Sequence, residues 1–273
     1  MAHESQIRYS DMVDAKLRAT LVKKDGVIFN NRYEGNPKAG SVKVPVRDTE
    51  VVVADYNKQT GAKSTHGSTA YLTVIIDKDK AVNEVIDGFD AAAVPDNLVA
   101  DRLDSAGYSM AMQIEKDATE CLEAKATVFG NTTALTKATI YDTFVDMRTA
   151  MSKANVPNDG KRYVLVTPDT YALALKCPEF VSASALGDAV KQTGAVGKIA
   201  GFLVFEDNTL SAATELIAGH PDWCTRIPEW AVDVHVQDLA GSGSFIGASA
   251  VQGRKIYAHA VTKPTTLLIK KKA

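Results

Sequence analysis

Apolar residues recur along this chain at two different periods, and the change between them, from residue 40 to residue 127, organises the reading. Val42, Val44 and Val46 alternate with Lys43, Pro45 and Arg47, a period of two that predicts a strand with one apolar face. Val51-Val-Val53 continues the run, so a strand is expected over Ser41–Asp55. Pro45 has no N–H to give to a ladder, which places this strand at an edge. The return run, Thr69–Asp79, holds Tyr71-Leu-Thr-Val-Ile-Ile76, β-branched and aromatic as strands prefer. Tyr56–Ser68 between them is polar. A long hairpin with a wet tip is predicted, with no obvious core of its own to cover.

After Glu84-Val-Ile-Asp-Gly-Phe-Asp90 the period changes. Leu98, Val99, Leu103, Ala106, Met110, Ile114, Ala118, Cys121 and Leu122 recur at steps of three and four, which predicts one helix from about Pro95 to Thr127. Asp101, Arg102, Asp104, Glu115, Lys116, Asp117 and Glu123 mostly fill its other face. Such a helix is roughly 45–50 Å long. Its stripe holds no clean heptad, so it is expected to brace a sheet rather than form a coiled coil. Gly107 is a mild weak point within it.

Elsewhere the pattern is shorter. Met12, Val13, Leu17 and Leu21 predict a short helix, and Val27-Ile-Phe29 a strand, before the turn-rich Gly35-Asn-Pro-Lys-Ala-Gly40. Thr139–Ala154 predicts an amphipathic helix, Arg162–Thr167 a buried strand and Thr170–Lys176 a short helix. Gly194–Gly201 reads as a turn into Phe202–Phe205, and Trp230–Val236, Lys255–Val261 and Thr265–Ile269 read as strands. Gly241-Ser-Gly-Ser244 is a loop. The class is α+β.

At 273 residues, 45% of them hydrophobic, the chain can bury a sizeable core. Its formal net charge of -2 gives no global field of the kind a dedicated nucleic-acid binder carries. Lys270-Lys-Lys272 reads as a solvated tail, with polyanion contact as the alternative. Cys121, Cys177 and Cys224 have no CxxC spacing, which suggests reduced thiols in the cytosol. No apolar run spans a bilayer and no signal core opens the chain, so a soluble product is expected and the sequon at Asn131 carries no meaning.

Gly194–Lys198 lacks the Walker A pattern, because Gln192 stands at the first glycine position and Ile199 at the magnesium-binding hydroxyl. His220-Pro-Asp-Trp-Cys224 groups His, Asp and Cys, but no second spaced ligand pair accompanies it. A surface loop with a packed Trp223 is expected there. His66, His235 and His259 stand alone. Asp77, Asp79, Glu84, Asp87 and Asp90 read as a solvated charged edge. No catalytic, cofactor or metal site is expected, and the chain reads as a structural protein rather than an enzyme.

The order of these pieces resembles the major capsid proteins of tailed bacteriophages, the Hong Kong 97-type fold, over roughly residues 35–265. The residues that carry the likeness are Gly40-Ser-Val-Lys-Val-Pro-Val46, Leu72-Thr-Val-Ile-Ile-Asp-Lys-Asp-Lys80, Val85-Ile-Asp-Gly-Phe-Asp90 and Ile114-Glu-Lys-Asp-Ala118. Arg162-Tyr-Val-Leu-Val-Thr-Pro-Asp-Thr-Tyr-Ala172, Gly197-Lys-Ile-Ala-Gly-Phe-Leu-Val-Phe205 and Gly253-Arg-Lys-Ile-Tyr-Ala258 follow in order. The resemblance implies an N-terminal arm at 1–34 and an extended hairpin loop at 35–80. It further implies a peripheral domain with the spine helix at 81–135, an axial domain at 136–250, and a return to the peripheral domain at 251–273.

It also implies self-assembly into pentamers and hexamers of an icosahedral shell around double-stranded DNA, formed in the host bacterial cytoplasm and ending in the virion. A separate scaffolding protein, a portal and non-specific DNA contact are the implied partners. Lys58 and Lys63 stand, by position, where some members cross-link, and Arg47 and Asp55 are further candidates for contact between subunits. Two other readings stand beside this one: an encapsulin-like nanocompartment shell, and a soluble α+β enzyme with dispersed site residues.

Overall fold

The computed structural model describes residues 16–47, 50–62, 66–93, 97–177, 197–240 and 245–273. Two sheets are joined by one helix. β3 (Lys78–Ile86), β9 (Cys224–Asp238) and β10 (Ser249–Val261) form an antiparallel three-stranded sheet with β10 in the middle. β4 (Thr127–Val128), β5 (Tyr163–Val166), β6 (Lys198–Ile199), β7 (Phe202–Glu206), β8 (Thr214–Gly219) and β11 (Leu268–Lys271) form a mixed six-stranded sheet in the order β4-β11-β8-β5-β7-β6. β1 (Ser41–Val46) and β2 (Ala70–Ile75) make a separate hairpin.

The long helix, α2 (Leu98–Lys125), belongs to both sheets. Its first half packs Leu98, Val99, Leu103 and Ala106 on Ile86 and Val82 of β3 and Val251 of β10. Its last turns place Ala118 and Leu122 against Tyr163, Leu165, Ile217 and Ile269 of the six-stranded sheet. Asn97, with φ 49°, caps it, and the Asn97 side chain accepts a 3.4 Å bond from the Ala100 N–H. The helix thus opens at Leu98 rather than near Pro95, a residue outside the described ones, because the cap fixes its start. At 28 residues it is roughly 42 Å long.

The opposite face of the six-stranded sheet is covered by α3 (Ile140–Lys153), which buries Ile140, Phe144, Met147 and Met151 against Val164, Val166, Leu216 and Leu268. Each such side chain contributes about 1.5–3 kcal/mol by leaving water. Arg162, 1% exposed, ties down the loop that follows α3: its guanidinium donates to the carbonyls of Val156 at 2.5 Å and Pro157 at 2.9 Å. α4 (Pro168–Leu175) starts on a Thr167 cap with proline in its first turn, two residues before the predicted start. Ala200 and Gly201, both at positive φ, make the tight β6–β7 turn. α1 (Gly88–Ala93) is a short connector.

Several expectations are corrected. Residues 16–24 form no helix, while Met12 and Val13 of the expected one lie outside the described residues; Leu17 is fully exposed, and ion pairs of Lys16 and Arg18 hold the segment along α2 instead. Ile28 lies in a turn and Phe29 in an isolated bridge at its end, both buried. The first hairpin strand ends at Val46 and not at Asp55, so Val51–Val53 have no ladder partner among the described residues. The predicted return strand Thr69–Asp79 is two strands. β2 stops at Ile75, and β3 joins another sheet. β3 and β8 have no clear signal in the sequence pattern. The inward face of β3 is largely charged, and β8 is buried along its whole length and so lacks alternation. Lys270 is no solvated tail residue: it is 5% exposed in β11 and its ammonium donates to Asn131 Oδ1 at 2.9 Å.

Gly219 is required by packing. A Cβ there would stand 2.6 Å from the Tyr163 hydroxyl and 2.7 Å from Leu267 Cδ1, both fully buried. We expect Gly219→Ala to destabilise the chain by about 1–3 kcal/mol through overpacking, read as a lowered urea midpoint. An unchanged midpoint would show that this layer can yield.

Candidate assembly surfaces

The hairpin is amphipathic at its base. Period two puts Val42, Val44, Leu72, Val74 and Ile76 on one face, which docks on Ile227, Ala258 and Ala260 with Tyr33. The base therefore does cover a core, contrary to the expectation of a hairpin with none. Its other face leaves Tyr71 and Ile75 open, and beyond the base Val51 and Val53 are 86% and 94% exposed, beside an exposed Tyr56. Arg47, Asp55 and Lys58 are exposed in this outer part, with no ion pair among the described residues; Lys63 lies outside them. An arm with this much open apolar surface has the character of a contact surface.

A second surface is already occupied by the chain itself. Residues 16–23 run along α2 in the same direction. Lys16 pairs with Asp101 at 2.6 Å, Arg18 with Asp104 at 2.5 Å, and Tyr108 donates to the Ala19 carbonyl at 3.1 Å. The match is metric. Lys16 to Lys23 covers roughly 23 Å of extended chain, and Asp101 to Glu115 roughly 21 Å of helix. The segment ends on Lys23, whose ammonium is buried and meets Asp207, Thr209 at 2.8 Å and Glu115 at 3.4 Å. Glu115 and Asp117, expected on the outer face of the helix, are each 5% exposed. They are buried because Lys23 and the Tyr257 hydroxyl, 2.7 Å from Asp117, satisfy them.

Beside this cluster lies His259 of β10. Its Nε2 accepts from Arg226 Nε at 3.2 Å, and its buried Nδ1 has no partner among the described residues. Phe29 and Tyr257 flank its ring, and a cleft of about 210 Å³ next to it is lined by Asp77, Lys78, Asp117, Glu120, Cys121 and Lys125. Burial, reinforced by the Arg226 charge, pushes the imidazole down to about 3, so it is neutral at ordinary pH.

Other polar residues are also tied into the fold. His220 is fully buried rather than in a surface loop. It bonds Asp159 at 3.0 Å, holds that carboxyl down to about 2, and accepts the Asp222 N–H to start a single 3-10 turn. Cys224 of the same motif points away, 3.2 Å from the Tyr163 hydroxyl, and burial raises its thiol to about 12. Burial raises Cys121 to about 11. Among the described residues no group of His, Cys, Asp and Glu is arranged to hold a metal ion, and no helix is long and apolar enough to cross a membrane. The supposed charged edge is partly tied down: Arg254 holds Asp79 at 2.8 and 2.5 Å, and Arg102 grips Glu84 with two 2.8 Å bonds.

A family model described as phage capsid protein matches residues 84–244. A solved structure from Mycobacterium phage Che8 superposes with a TM-score of 0.80 at 21% identity, covering 97% of this chain and 96% of the other. The capsid structure of the cyanophage P-SCSP1u gives 0.81 at 12% identity, over 98% and 93%. The asymmetric unit of the bacteriophage PhiM1 mature capsid gives 0.70 at 12% identity, over 97% and 92%. No curated protein matches the chain. The fold is thus that of the capsid proteins.

Because the folded state holds His259 neutral while an unfolded chain takes the proton near pH 6.5, its contribution is present above that pH. It is lost progressively as pH falls towards about 3. We expect urea midpoints of the unassembled subunit to fall between pH 6.5 and 4.5, where most carboxylates stay ionised, and His259→Gln to flatten that slope. Equal slopes for both proteins would refute the assignment.

Proposed function

This chain belongs to the phage capsid protein family, and we propose from that premise that it is the major capsid protein of a tailed phage. Copies would close into an icosahedral shell of pentamers and hexamers around double-stranded DNA. The observation that carries this reading is the outer hairpin. A well-packed base projects a segment whose valines and tyrosine find no cover among the described residues of their own chain. A second copy supplies the cover in a closed symmetric assembly, where each subunit both gives and receives an arm. Arg47, Asp55, Lys58 and Lys63 would meet the neighbour along that overlap.

The unit built on the three-stranded sheet and the first half of α2 would be peripheral. The six-stranded sheet with α3 and α4 would be axial. The division expected from the resemblance, 136–250, is redrawn in this reading: 224–240 go with the peripheral unit because β9 pairs with β10 along most of its length. The segment 1–34 would form an arm and 35–80 the hairpin loop. Assembly would take place in the host cytoplasm with a separate scaffolding protein and a portal, and the finished protein would reside in the virion. Contact with packaged DNA would run through basic side chains and weaken with salt. The role is structural, without an active site.

Light scattering and negative-stain electron microscopy of the purified chain test the proposal. Closed shells, rings of five or six, or open sheets are expected, and a variant with residues 47–69 replaced by a two-residue turn should melt like the parent yet fail to close shells. A parent that stays a 29.2 kDa monomer in all salt and scaffold conditions would overturn it. Shells that hold a protein cargo and no nucleic acid would point instead to a nanocompartment.

A further inference from the structure

The Lys23 cluster sits where α2 passes from one sheet to the other, between Ala106 on the three-stranded sheet and Ala118 on the six-stranded sheet. Its members come from every unit. Glu115 is on α2 and receives both the Lys23 ammonium and, at 2.8 Å, the Lys23 backbone N–H. Asp207 and Thr209 lie just after β7 of the six-stranded sheet, and Thr209 reaches back to Thr119 of α2 at 2.7 Å. The Lys23 carbonyl accepts from Arg226 of β9 at 3.0 Å, in the three-stranded sheet, and that guanidinium also holds Asp25 at 2.8 Å. The Lys23 side chain is fully buried, and Asp207 is 2% exposed.

We propose that Lys23 is a positioning residue: it pins the angle between the two sheet units and thereby sets the curvature of the assembled shell. The inference rests on the shell-building reading above. Apolar contacts between the units are non-directional and tolerate small rotations. Charge-assisted bonds that tie α2 and the segment after β7 to the Lys23 ammonium, and Arg226 of β9 to the carbonyl of the same residue, do not, because rotation of either sheet pulls a partner out of reach. A buried ionic cluster adds little net stability over an apolar one of the same shape, so its contribution here is geometry. In a closed assembly the same angle is repeated in every copy, and closure at one size depends on it.

Lys23→Met alone would strand two buried carboxylates and is expected to compromise folding. The test therefore uses the full chain with Lys23→Met, Glu115→Gln and Asp207→Asn together, which keeps the shape and removes the charges. A second variant, Thr209→Val, removes one ligand and leaves the ion pairs. In both, folded subunits are expected to lose the single shell diameter seen for the parent by electron microscopy, giving mixed diameters or open sheets. Spin labels at Asn83→Cys and Lys153→Cys, on β3 and α3, should show a broader distance distribution in the unassembled variants than in the parent. A folded variant with parental diameter, or with a parental label distribution, overturns the pin. A parent that forms no shells overturns the assembly reading instead, while the label measurement still decides the pin. Should the triple variant not fold, Thr209→Val decides both readouts.

Discussion

The structure depends on α2 presenting apolar side chains to two different sheets. Its first half lies on Ile86, Val82 and Val251 and its last turns on Tyr163, Leu165 and Ile217. A helix bound to one sheet needs a single stripe. A helix bound to two, with an extended segment along it, is partly covered around most of its circumference, and so its acidic residues are drawn inside. Glu115 and Asp117 are tolerated there because each has donors at hydrogen-bond distance.

The polar contacts around the helix differ in kind. Lys16–Asp101 and Arg18–Asp104 are surface pairs whose attraction is screened by water and salt. They lay the extended segment along the helix without fixing it firmly. Lys23, Arg226 and His259 lie deeper, where dielectric screening is weak and an unmatched charge is costly. The segment is thus held loosely at its beginning and tightly at its end, which suits a tether that must find one register on a long helix.

The hairpin obeys the opposite rule. At its base the alternation of valines and polar residues is used fully, one face against Ile227 and Ala258. Beyond Val46 the pattern continues into Val51–Val53 but the ladder does not. A strand is stabilised by a partner and a covered face, and the described residues supply neither at that distance from the body of the chain. The same residues that make the arm unprofitable as a monomer feature make it apt for contact between copies.

Local pattern by itself determined much of the class. Periods of two and of three to four identified the hairpin base, α2 and α3, short apolar runs identified β5, β7 and the second half of β10, and the turn chemistry at Gly40, Ala200 and Gly201 marked boundaries, because these depend on neighbours a few residues away. The order of those pieces was enough for the capsid resemblance. Only the tertiary structure decided which charges are buried, that residues 16–24 are a strap and not a helix, that β3 leaves the hairpin for another sheet, and that Lys270 and His220 are inside. Each of those outcomes rests on a partner far away in sequence: Glu115 for Lys23, Arg254 for Asp79, Asn131 for Lys270, Asp159 for His220. A charged residue reads the same in a sequence whether it faces water or a distant counter-charge, and only the fold supplies the counter-charge.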